Sequence, residues 1–374
     1  MRLLSPEVLK TAVQESGRCI NCGACTALCP YFRSYNGKIA MIFPCSLTEG
    51  KCAAHCPKAE VDMDDLSLFF HGNHWEGTPL GPYRSIYKAS SSESAPRGIF
   101  QNGGTVSALV SFALDSGYLD SAVLTGRKGL MPEPVIVQSA EEAVRCATSK
   151  YLAAPTLGML NQAIGEGRRH IGVVGTPCQM TAVQLIRMHH IRQEHQDDPI
   201  GLSIGLFCTW TLEPRRFLAY LSCLTRVDDI HRMNILPPPS KTAIIENKEG
   251  TLELPLEEIR SFIPYGCTIC PDMTAEFSDL SVGAFEDAPE WNTLIVRTEK
   301  GEEIVSRAVK KGYLTLEDMP EKSLAHLCDG AERKKRRALE KAVSDNVVNT
   351  DGPDKVAALR VPEDTLKPPK LEER

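Results

Sequence analysis

The chain has 374 residues, 42% of them hydrophobic, and its 42 Lys and Arg against 48 Asp and Glu give a formal net charge of −6. This length suggests two or three domains with cores large enough to fold without disulfides, which excludes a small secreted cystine scaffold. The acidic balance and the aromatic content of 6% argue against a nucleic-acid partner, because such proteins carry basic stripes with interleaved aromatic residues.

No apolar run approaches the ~20 residues that cross a bilayer, and the first residues lack the apolar region of a secretory signal. We therefore expect a cytoplasmic protein with no membrane span. Disulfides are rare in a reducing compartment, so the 14 cysteines are better explained as metal ligands or redox groups.

The first part of the chain is rich in cysteine. An amphipathic stretch at residues 6–15 predicts a helix, and seven cysteines follow between residues 19 and 56. We interpret residues 1–62 as one compact module. Residues 63–93 combine Gly, Pro, His and aromatic residues and end in a Ser-rich run, which indicates a linker.

Strand-like and helix-like patterns alternate from residue 94 onward. A helix is predicted after Gly103-Gly104, and another after Gly175-Thr176-Pro177-Cys178. The expected buried strands are residues 122–124, 135–137, 170–174 and 202–207. This alternation predicts an α/β domain with a partly parallel sheet over residues 94–325.

The later third of that domain indicates antiparallel structure. Residues 243–246 and 251–254 predict a hairpin, and residues 292–297 predict a further strand. For residues 326–374 we expect a charged helix, with the basic run 333–337 on a solvated face, and then an extended tail.

The N-terminal cysteines have the spacing of bacterial ferredoxins, in which three close thiolates bind one iron–sulfur cluster and the fourth binds a neighbouring cluster. The motif consists of Cys19, Cys22, Cys25 and Cys29-Pro30, followed by Cys45, Cys52 and Cys56-Pro57. The crossover rule assigns a 4Fe-4S cluster, called cluster one, to Cys19, Cys22, Cys25 and Cys56.

The second N-terminal cluster lacks one cysteine. Cluster two would have only Cys29, Cys45 and Cys52, an arrangement similar to that of fumarate reductase iron–sulfur subunits, which carry a 3Fe-4S centre. Cluster two is therefore expected to be a 3Fe-4S cluster, or a 4Fe-4S cluster with a non-cysteine or remote fourth ligand.

Four further cysteines are candidate ligands of a third cluster. Cys267 and Cys270 form a CxxC pair, while Cys178 and Cys208 each follow a predicted strand. Ends of neighbouring parallel strands share one edge of a sheet, so the four could converge there. The alternatives are a dithiol redox site and buried small hydrophobic residues. The remaining three, Cys146, Cys223 and Cys328, are interpreted as structural.

Several motifs, in order, resemble the beta subunit of coenzyme F420 hydrogenases and dehydrogenases. They are residues 101–109 (QNGGTVSAL), 149–151 (SKY), 174–179 (VGTPCQ) and 266–276 (GCTICPDMTAE), continued by 279–283 (DLSVG) and 297–301 (RTEKG). The resemblance spans roughly residues 15–315.

The resemblance implies a flavin-dependent iron–sulfur oxidoreductase subunit that moves electrons between a soluble carrier and a catalytic partner in a larger complex. The carrier would be coenzyme F420, NAD(P)H or ferredoxin, and the partner a hydrogenase, formate dehydrogenase or heterodisulfide reductase-like subunit. FAD would lie between them, because hydride donors deliver two electrons and clusters accept one. The resemblance also favours a 4Fe-4S core cluster on Cys178, Cys208, Cys267 and Cys270.

The implied architecture is α/β, with α+β parts. It comprises a two-cluster ferredoxin-like module, a mixed-sheet domain that binds FAD, and the C-terminal tail. The FAD pyrophosphate is expected at the start of a predicted helix, where backbone N–H groups and the Thr105 hydroxyl can bind it. The residues are Asn102, Gly103, Gly104 and Thr105. Further candidate contacts are Ser149, Lys150, Thr176 and Thr274, with Lys150 facing a phosphate or the flavin ring.

Two rival functions remain open at this point. One is a non-flavin iron–sulfur relay whose α/β domain only docks other subunits. The other is a flavin and iron–sulfur reductase of an organic double bond, which would have an enlarged apolar pocket and would act without a partner.

Overall fold

The computed structural model describes residues 4–236, 240–350 and 357–366. The helices are α1 (Pro6–Val8, continued as a π-helical stretch over Leu9–Glu15), α2 (Lys51–Ala54), α3 (Met63–Phe70), α4 (Thr105–Asp115), α5 (Ala140–Arg145), α6 (Thr156–Gly165), α7 (Pro177–Arg192), α8 (Pro214–Ser222), α9 (Leu256–Arg260), α10 (Tyr265–Thr268), α11 (Glu299–Lys310) and α12 (Glu321–Ser344). The strands are β1 (Phe32–Tyr35), β2 (Lys38–Met41), β3 (Val61–Asp62), β4 (Ser85–Ser91), β5 (Ser121–Lys128), β6 (Met131–Val137), β7 (Ile171–Gly175), β8 (Ile200–Leu206), β9 (Ile230–Ile235), β10 (Thr242–Asn247), β11 (Gly250–Pro255), β12 (Leu280–Ala284), β13 (Asn292–Val296), β14 (Leu314–Asp318), β15 (Val348–Asn349) and β16 (Leu359–Arg360).

An eight-stranded mixed sheet organises the body of the protein, in the order β14-β4-β13-β12-β8-β7-β5-β6. Its four inner strands β5, β7, β8 and β12 are parallel to their neighbours within this group, while β6, β13, β4 and β14 pair antiparallel. The α/β class and the mixed sheet predicted from the sequence are confirmed. The predicted hairpin is also present, as β10 and β11 of a separate three-stranded sheet with β9.

The inner strands are buried on both faces because successive side chains of a strand point to opposite sides. Val174 of β7 packs in the core on one face, with residues of α4 and α11. Ile171 and Val173 of the same strand pack on the other face, with α6, α7 and Ile20 of the N-terminal module. The cysteine module is therefore part of the layer that covers one face of the sheet.

The segment expected to be a linker, residues 63–93, contains regular structure instead. It forms α3, and then β4, which pairs with both β13 and β14 inside the large sheet. Only Ala89 of β4 is fully buried, so the strand has no apolar run that the sequence could reveal. Its order comes from backbone pairing on both sides.

The C-terminal residues return to the N-terminal module. β15 and β16 form a parallel three-stranded sheet with β3, and Leu359 and Val361 share a core with Val61 and Leu66. The tail is therefore packed at residues 357–361, where an extended segment was expected. Two parts of the expected tail, residues 351–356 and 367–374, lie outside the described residues.

The charged helix predicted near residues 331–341 is α12, which begins ten residues earlier, at Glu321. Its buried residues have the three- to four-residue spacing of an amphipathic helix: Ala331, Lys334, Lys335, Ala338, Leu339 and Ala342. Within the described residues, no helix combines the length and the apolarity needed to cross a bilayer.

Residues 151–157, here called the crossing segment, join the cysteine module to the sheet domain. Leu157 N–H donates to Cys22 O at 3.0 Å, and Gln179 of α7 donates to Ala154 O at 3.0 Å. Gly23 lies so close to this segment that a Cβ atom there would stand 2.4 Å from Pro155 O. The module is therefore held against the domain by backbone contacts that require glycine at position 23.

We predict that Gly23→Ala lowers the thermal unfolding midpoint more than Gly117→Ala does. Both glycines have a positive φ, 89° and 67°, but nothing lies within 4 Å of a Cβ placed at Gly117. The left-handed conformation alone costs about 1–2 kcal/mol, and the clash at Gly23 adds ~1–3 kcal/mol. Equal midpoints in a calorimetric scan of the two variants would contradict the close approach.

Candidate functional site

The four cysteines proposed for the core converge at one edge of the sheet. Cys178 lies in the first turn of α7, directly after β7, and Cys208 lies two residues after the neighbouring strand β8. Cys208 N–H donates to Met273 O at 2.9 Å, which fixes the loop after Cys270 over the end of β8. The strand-end argument from the sequence therefore correctly brought Cys178 and Cys208 to the same edge.

The electrostatics of these thiols show that they are mutual neighbours. The pKa of Cys178 is raised to about 12, mainly by burial and in addition by negative charge on Cys270 and Cys267. Burial also raises the pKa of Cys208, with the ammonium of Lys334 opposing it and the other three cysteines adding to it. Four thiols in one buried place are readily ionised only when cations lie beside them, as iron does in a cluster.

The four cysteines assigned to cluster one also lie together. They line a single cavity with apolar residues of the N-terminal module and with Lys58; its lining includes Cys19, Cys22, Cys25, Cys56, Leu9, Val13, Ile20 and Ile39. Burial is the main cause that raises the pKa of each of the four thiols. The donor set and its apolar surroundings fit a 4Fe-4S cluster.

The three cysteines assigned to cluster two form a separate group. The pKa of Cys52 is raised to about 11, mainly by burial and in part by negative charge on Cys29 and Cys45. In the described parts of the chain, no three His, Cys, Asp or Glu side chains converge as a single metal ion would require. The thiolates of an iron–sulfur cluster bind different iron atoms, so their sulfurs stand further apart than the ligands of one ion.

Cluster one and the core group lie side by side. The pKa of Cys22 is raised first by burial and then by the negative charge of Cys56 and Cys178. Cys22 packs in the same hydrophobic cluster as Cys178 and Cys267. Cys25 in turn interacts with Cys52 of the third group. The three cysteine groups therefore form a continuous series from the sheet edge to the N-terminal hairpin.

The basic run on α12 differs from the expected solvated face. Lys334 and Lys335 are each only 4% exposed, whereas Arg333, Arg336 and Arg337 are exposed. The reason is helical geometry, because both lysines lie on the side that carries Ala331 and Ala338. That spacing was visible in the sequence and could have identified them.

The two buried lysines have different partners. Lys334 Nζ donates to Cys208 O and Asp272 O, both at 2.6 Å. Lys335 Nζ pairs with Glu276 Oε2 at 3.2 Å, and Trp75 Nε1 donates to the other oxygen of Glu276 at 3.2 Å. Lys334 thus joins the two loops that carry the core cysteines.

Gly103 and Gly104 precede α4, as predicted. A Cβ at Gly103 would stand 2.7 Å from Glu290 O, so the turn itself needs a residue without a side chain. The hydroxyl of Thr105 is buried and donates to Ala89 O at 3.0 Å. The backbone N–H of Thr105 donates to Asn292 Oδ1. The Thr105 hydroxyl already donates to Ala89 O, so this turn can contact a ligand only through the backbone of residues 102–104.

Beside this turn, polar side chains from three separate parts of the chain are joined by hydrogen bonds, and we call this polar site the Tyr151 pocket. The Tyr151 hydroxyl and Gln101 Nε2 both donate to Asn234 Oδ1, at 3.4 and 2.7 Å. Three buried polar atoms near these residues in the chain lack a hydrogen-bond partner in the described structure: Gln101 Oε1, Thr148 Oγ1 and Arg232 Nε. Unpaired buried donors and acceptors are costly, so such atoms are suited to pairing with a polar ligand.

Three other predicted contact residues have identified surroundings. Lys150 Nζ donates to the carbonyl oxygens of Cys146, Ala147 and Thr148, and burial lowers its pKa to about 8. The Thr176 hydroxyl is hydrogen-bonded to the Cys178 thiol at 3.3 Å. The Thr274 hydroxyl is fully buried; it donates to Leu80 O and accepts from the Arg297 guanidinium. Ser149 lies beside Tyr151 and interacts with it.

Three groups of cysteines therefore lie beside a mixed α/β sheet, and thiolate sets of this kind are the usual ligands of iron–sulfur clusters. Two family models, which describe the N-terminal and C-terminal parts of the "Coenzyme F420 hydrogenase/dehydrogenase, beta subunit", match residues 86–161 and 168–322 respectively. The chain belongs to this family of beta subunits, and the resemblance inferred from its motifs is confirmed.

Relatives of the chain are subunits or whole oxidoreductases. The coenzyme F420 hydrogenase subunit beta of Methanothermobacter thermautotrophicus is 27% identical over 269 residues, covering 71% of this chain and 95% of that protein. The coenzyme F420-dependent sulfite reductase of Methanocaldococcus jannaschii is 29% identical over 324 residues, covering 82% of this chain and 48% of that protein.

A solved structure shares the fold. A chain of the F420-reducing NiFe hydrogenase complex from Methanosarcina barkeri superposes with a TM-score of 0.63 at 23% identity, covering 75% of this chain and 97% of that one. The chain is therefore an oxidoreductase subunit by family, with a fold that also occurs in a hydrogenase complex.

We predict that Lys335→Met lowers the thermal unfolding midpoint strongly, because it leaves the Glu276 carboxylate buried without its cation. Breaking a buried ion pair costs about 3–5 kcal/mol. The double variant with Glu276→Gln should recover part of the loss, since the amide oxygen can still accept from Trp75. A double variant as unstable as the sum of the two single variants would contradict the pairing.

Proposed function

We propose that the chain is the flavin and iron–sulfur electron-transfer subunit of an oxidoreductase complex, operating between a soluble carrier and a catalytic partner. The observation that carries the proposal is the adjacency of Cys22 and Cys178, which joins the core cysteines to the ferredoxin-like cysteines. A relay needs redox centres in close series, and isolated structural cysteines would not need this arrangement.

Each proposed cluster would be held by its own set of cysteines. Cys178, Cys208, Cys267 and Cys270 would hold a 4Fe-4S core cluster. Cys19, Cys22, Cys25 and Cys56 would hold 4Fe-4S cluster one, and Cys29, Cys45 and Cys52 would hold a 3Fe-4S cluster or an incompletely cysteine-ligated 4Fe-4S cluster. When bound, FAD supplies the exchange between two-electron and one-electron chemistry, and the clusters supply one-electron transport.

For the FAD we propose the backbone of residues 102–104 together with the Tyr151 pocket. Gln101, Thr148 and Arg232 offer one unpaired acceptor, one hydroxyl and one unpaired donor. The crossing segment begins at Tyr151, and Leu212 N–H, four residues beyond Cys208, donates to Tyr151 O at 2.8 Å. This hydrogen bond places the pocket beside the loop of a core cysteine. A flavin that exchanges electrons with the core cluster requires such proximity.

We propose coenzyme F420 as the soluble carrier, because it is named in the family and in the related hydrogenase and sulfite reductase. NAD(P)H and ferredoxin are the alternatives, and reduction of the purified protein by each in turn distinguishes them. The partner would be a catalytic subunit of the hydrogenase or dehydrogenase kind.

The opposite end of the series lies at the surface. Five of the eleven large hydrophobic side chains found exposed in the described structure occur between residues 31 and 47, around Cys29 and Cys45: Tyr31, Tyr35, Ile42, Phe43 and Leu47. Arg33 and Lys38 are exposed beside them. We propose that a redox partner with an apolar, acidic contact face docks on this surface, called the hairpin patch.

Cofactor content after anaerobic reconstitution tests the proposed function. We expect about 11 or 12 iron atoms per chain, with matching sulfide, and one FAD released on denaturation. Full iron with no FAD would support the non-flavin relay instead. Electron paramagnetic resonance of the oxidised protein separates the two options for cluster two, because only a 3Fe-4S centre gives a signal in that state.

We predict that Cys178→Ser loses about four iron atoms per chain, because one thiolate of the core group is removed. The matched control is Cys223→Ser, whose cysteine is exposed at the end of α8 and makes only a weak contact with Ala219 O at 3.5 Å. The control should keep its full iron content. Equal iron in the two variants would contradict the core cluster.

We predict that the double variant of Phe43 and Leu47 to serine slows electron transfer to an acidic bacterial-type ferredoxin about tenfold, the size of one lost hot-spot contact. These side chains are 60% and 63% exposed, so stability should change little. Leu224→Ser, 47% exposed elsewhere, is the control. An unchanged rate, measured by stopped flow, would refute the hairpin patch as the docking surface.

A further inference from the structure

Two buried lysines approach the core cysteines from opposite ends of the chain. Lys58 follows Cys56-Pro57 and is 2% exposed, and Lys334 of α12 is 4% exposed. A lysine buried this deeply normally pairs with a negatively charged or strongly polar group.

Lys334 belongs to the core group alone. Its ammonium donates to Cys208 O and to Asp272 O, so it joins the loop after β8 to the loop that follows Cys270. Burial works against its charge and is the largest single influence on its pKa, but the negative charges around it together raise that pKa; they are Cys270, Cys208, Asp272 and Cys267. The same ammonium lowers the pKa of Cys208 and Cys267. It is a fixed positive charge beside the core thiolates.

Lys58 belongs to two groups at once. It lines the cavity formed by the cluster-one cysteines. Its charge also lowers the pKa of Cys178 and Cys267 in the core, as well as that of Cys56. Cys22, which lines the same cavity, packs in one cluster with Cys178 and Cys267, so Lys58 lies near both cysteine groups.

We propose that Lys334 and Lys58 are positioning residues that set the reduction potentials of two neighbouring clusters. Lys334 raises the potential of the core cluster, and Lys58 raises the potentials of both the core cluster and cluster one. The proposal rests on the proposed function, because it requires both clusters to be bound.

The physical reason is the charge added on reduction. Each reduction places one more electron on an already anionic cluster, and a buried ammonium stabilises that electron because little water screens it. Because Lys58 lies near both groups, its charge also offsets the repulsion between two reduced clusters. A purely structural lysine, needed only to hold two carbonyls, would not shift a potential in a charge-dependent way.

The test is a redox titration followed by electron paramagnetic resonance on the reconstituted full chain. The signal that disappears in Cys270→Ser is assigned to the core cluster, and the signal that disappears in Cys22→Ser to cluster one. We expect Lys334→Met to shift the core signal to lower potential and to leave cluster one nearly unchanged. Lys58→Met should lower both potentials.

Two controls isolate the buried charge. Lys334→Arg keeps the charge and should keep a core potential close to that of the natural protein. Arg337→Gln removes one positive charge from the exposed side of the same helix, where solvent screens it, and should leave both potentials unchanged. If Lys334→Met does not retain its cluster, Lys334→Gln, which can still donate to the two carbonyls, is titrated in its place.

The outcomes separate this inference from the proposed function. Absence of the core signal and of its iron from the natural sequence would overturn the proposed function itself. A core cluster whose potential is the same in the neutral Lys334 variants and in the natural protein would overturn the role of Lys334. A shift of only one of the two clusters in Lys58→Met would overturn the shared role of Lys58.

Discussion

The crossing segment, residues 151–157, is the constraint on which the rest of the site depends. Its backbone accepts from Gln179 beside Cys178, pairs with Leu212 beyond Cys208, and donates from Leu157 to Cys22 O. Tyr151 at its start forms part of the polar pocket proposed for FAD. Seven residues therefore set the relative positions of the pocket, the core cysteines and cluster one. Two of these three hydrogen bonds join backbone groups and hold geometry without depending on side-chain rotamers, and the third is donated by the side-chain amide of Gln179.

The second constraint is electrostatic. Each of the three groups contains thiols whose pKa is raised mainly by burial, and these thiols would stay protonated without nearby cations; they include Cys22, Cys56, Cys52 and Cys178. Iron in the proposed clusters would provide most of that positive charge. Lys58 and Lys334 add two further charges, one adjacent to the first cysteine motif and one from a helix near the end of the chain. The C-terminal part of the chain is thus a component of the redox site.

How far the sequence predicted this arrangement depends on the range of the interactions involved. The ferredoxin spacing acts over a few residues, and the ends of parallel strands meet by a general rule, so the cysteine groups and the shared edge of Cys178 and Cys208 were predictable. The strand β4 was not, because its order comes from backbone pairing with β13 and β14, which lie about 200 residues away. Burial of Lys334 depends on a contact with Cys208, 126 positions earlier in the chain. The Tyr151 pocket depends on Asn234 in the same way. Local pattern cannot encode such contacts, although the alanine spacing on α12 gave a partial signal.

The most direct measurement of the central claim is anaerobic stopped-flow absorbance of the reconstituted chain mixed with reduced coenzyme F420. We expect the flavin absorbance to bleach and the broad iron–sulfur absorbance then to fall within the same mixing experiment, because we propose that the FAD site and the three clusters exchange electrons. Flavin bleaching with clusters that stay oxidised, while dithionite still reduces them, would show that the pocket and the cysteine series are not connected and would contradict that claim.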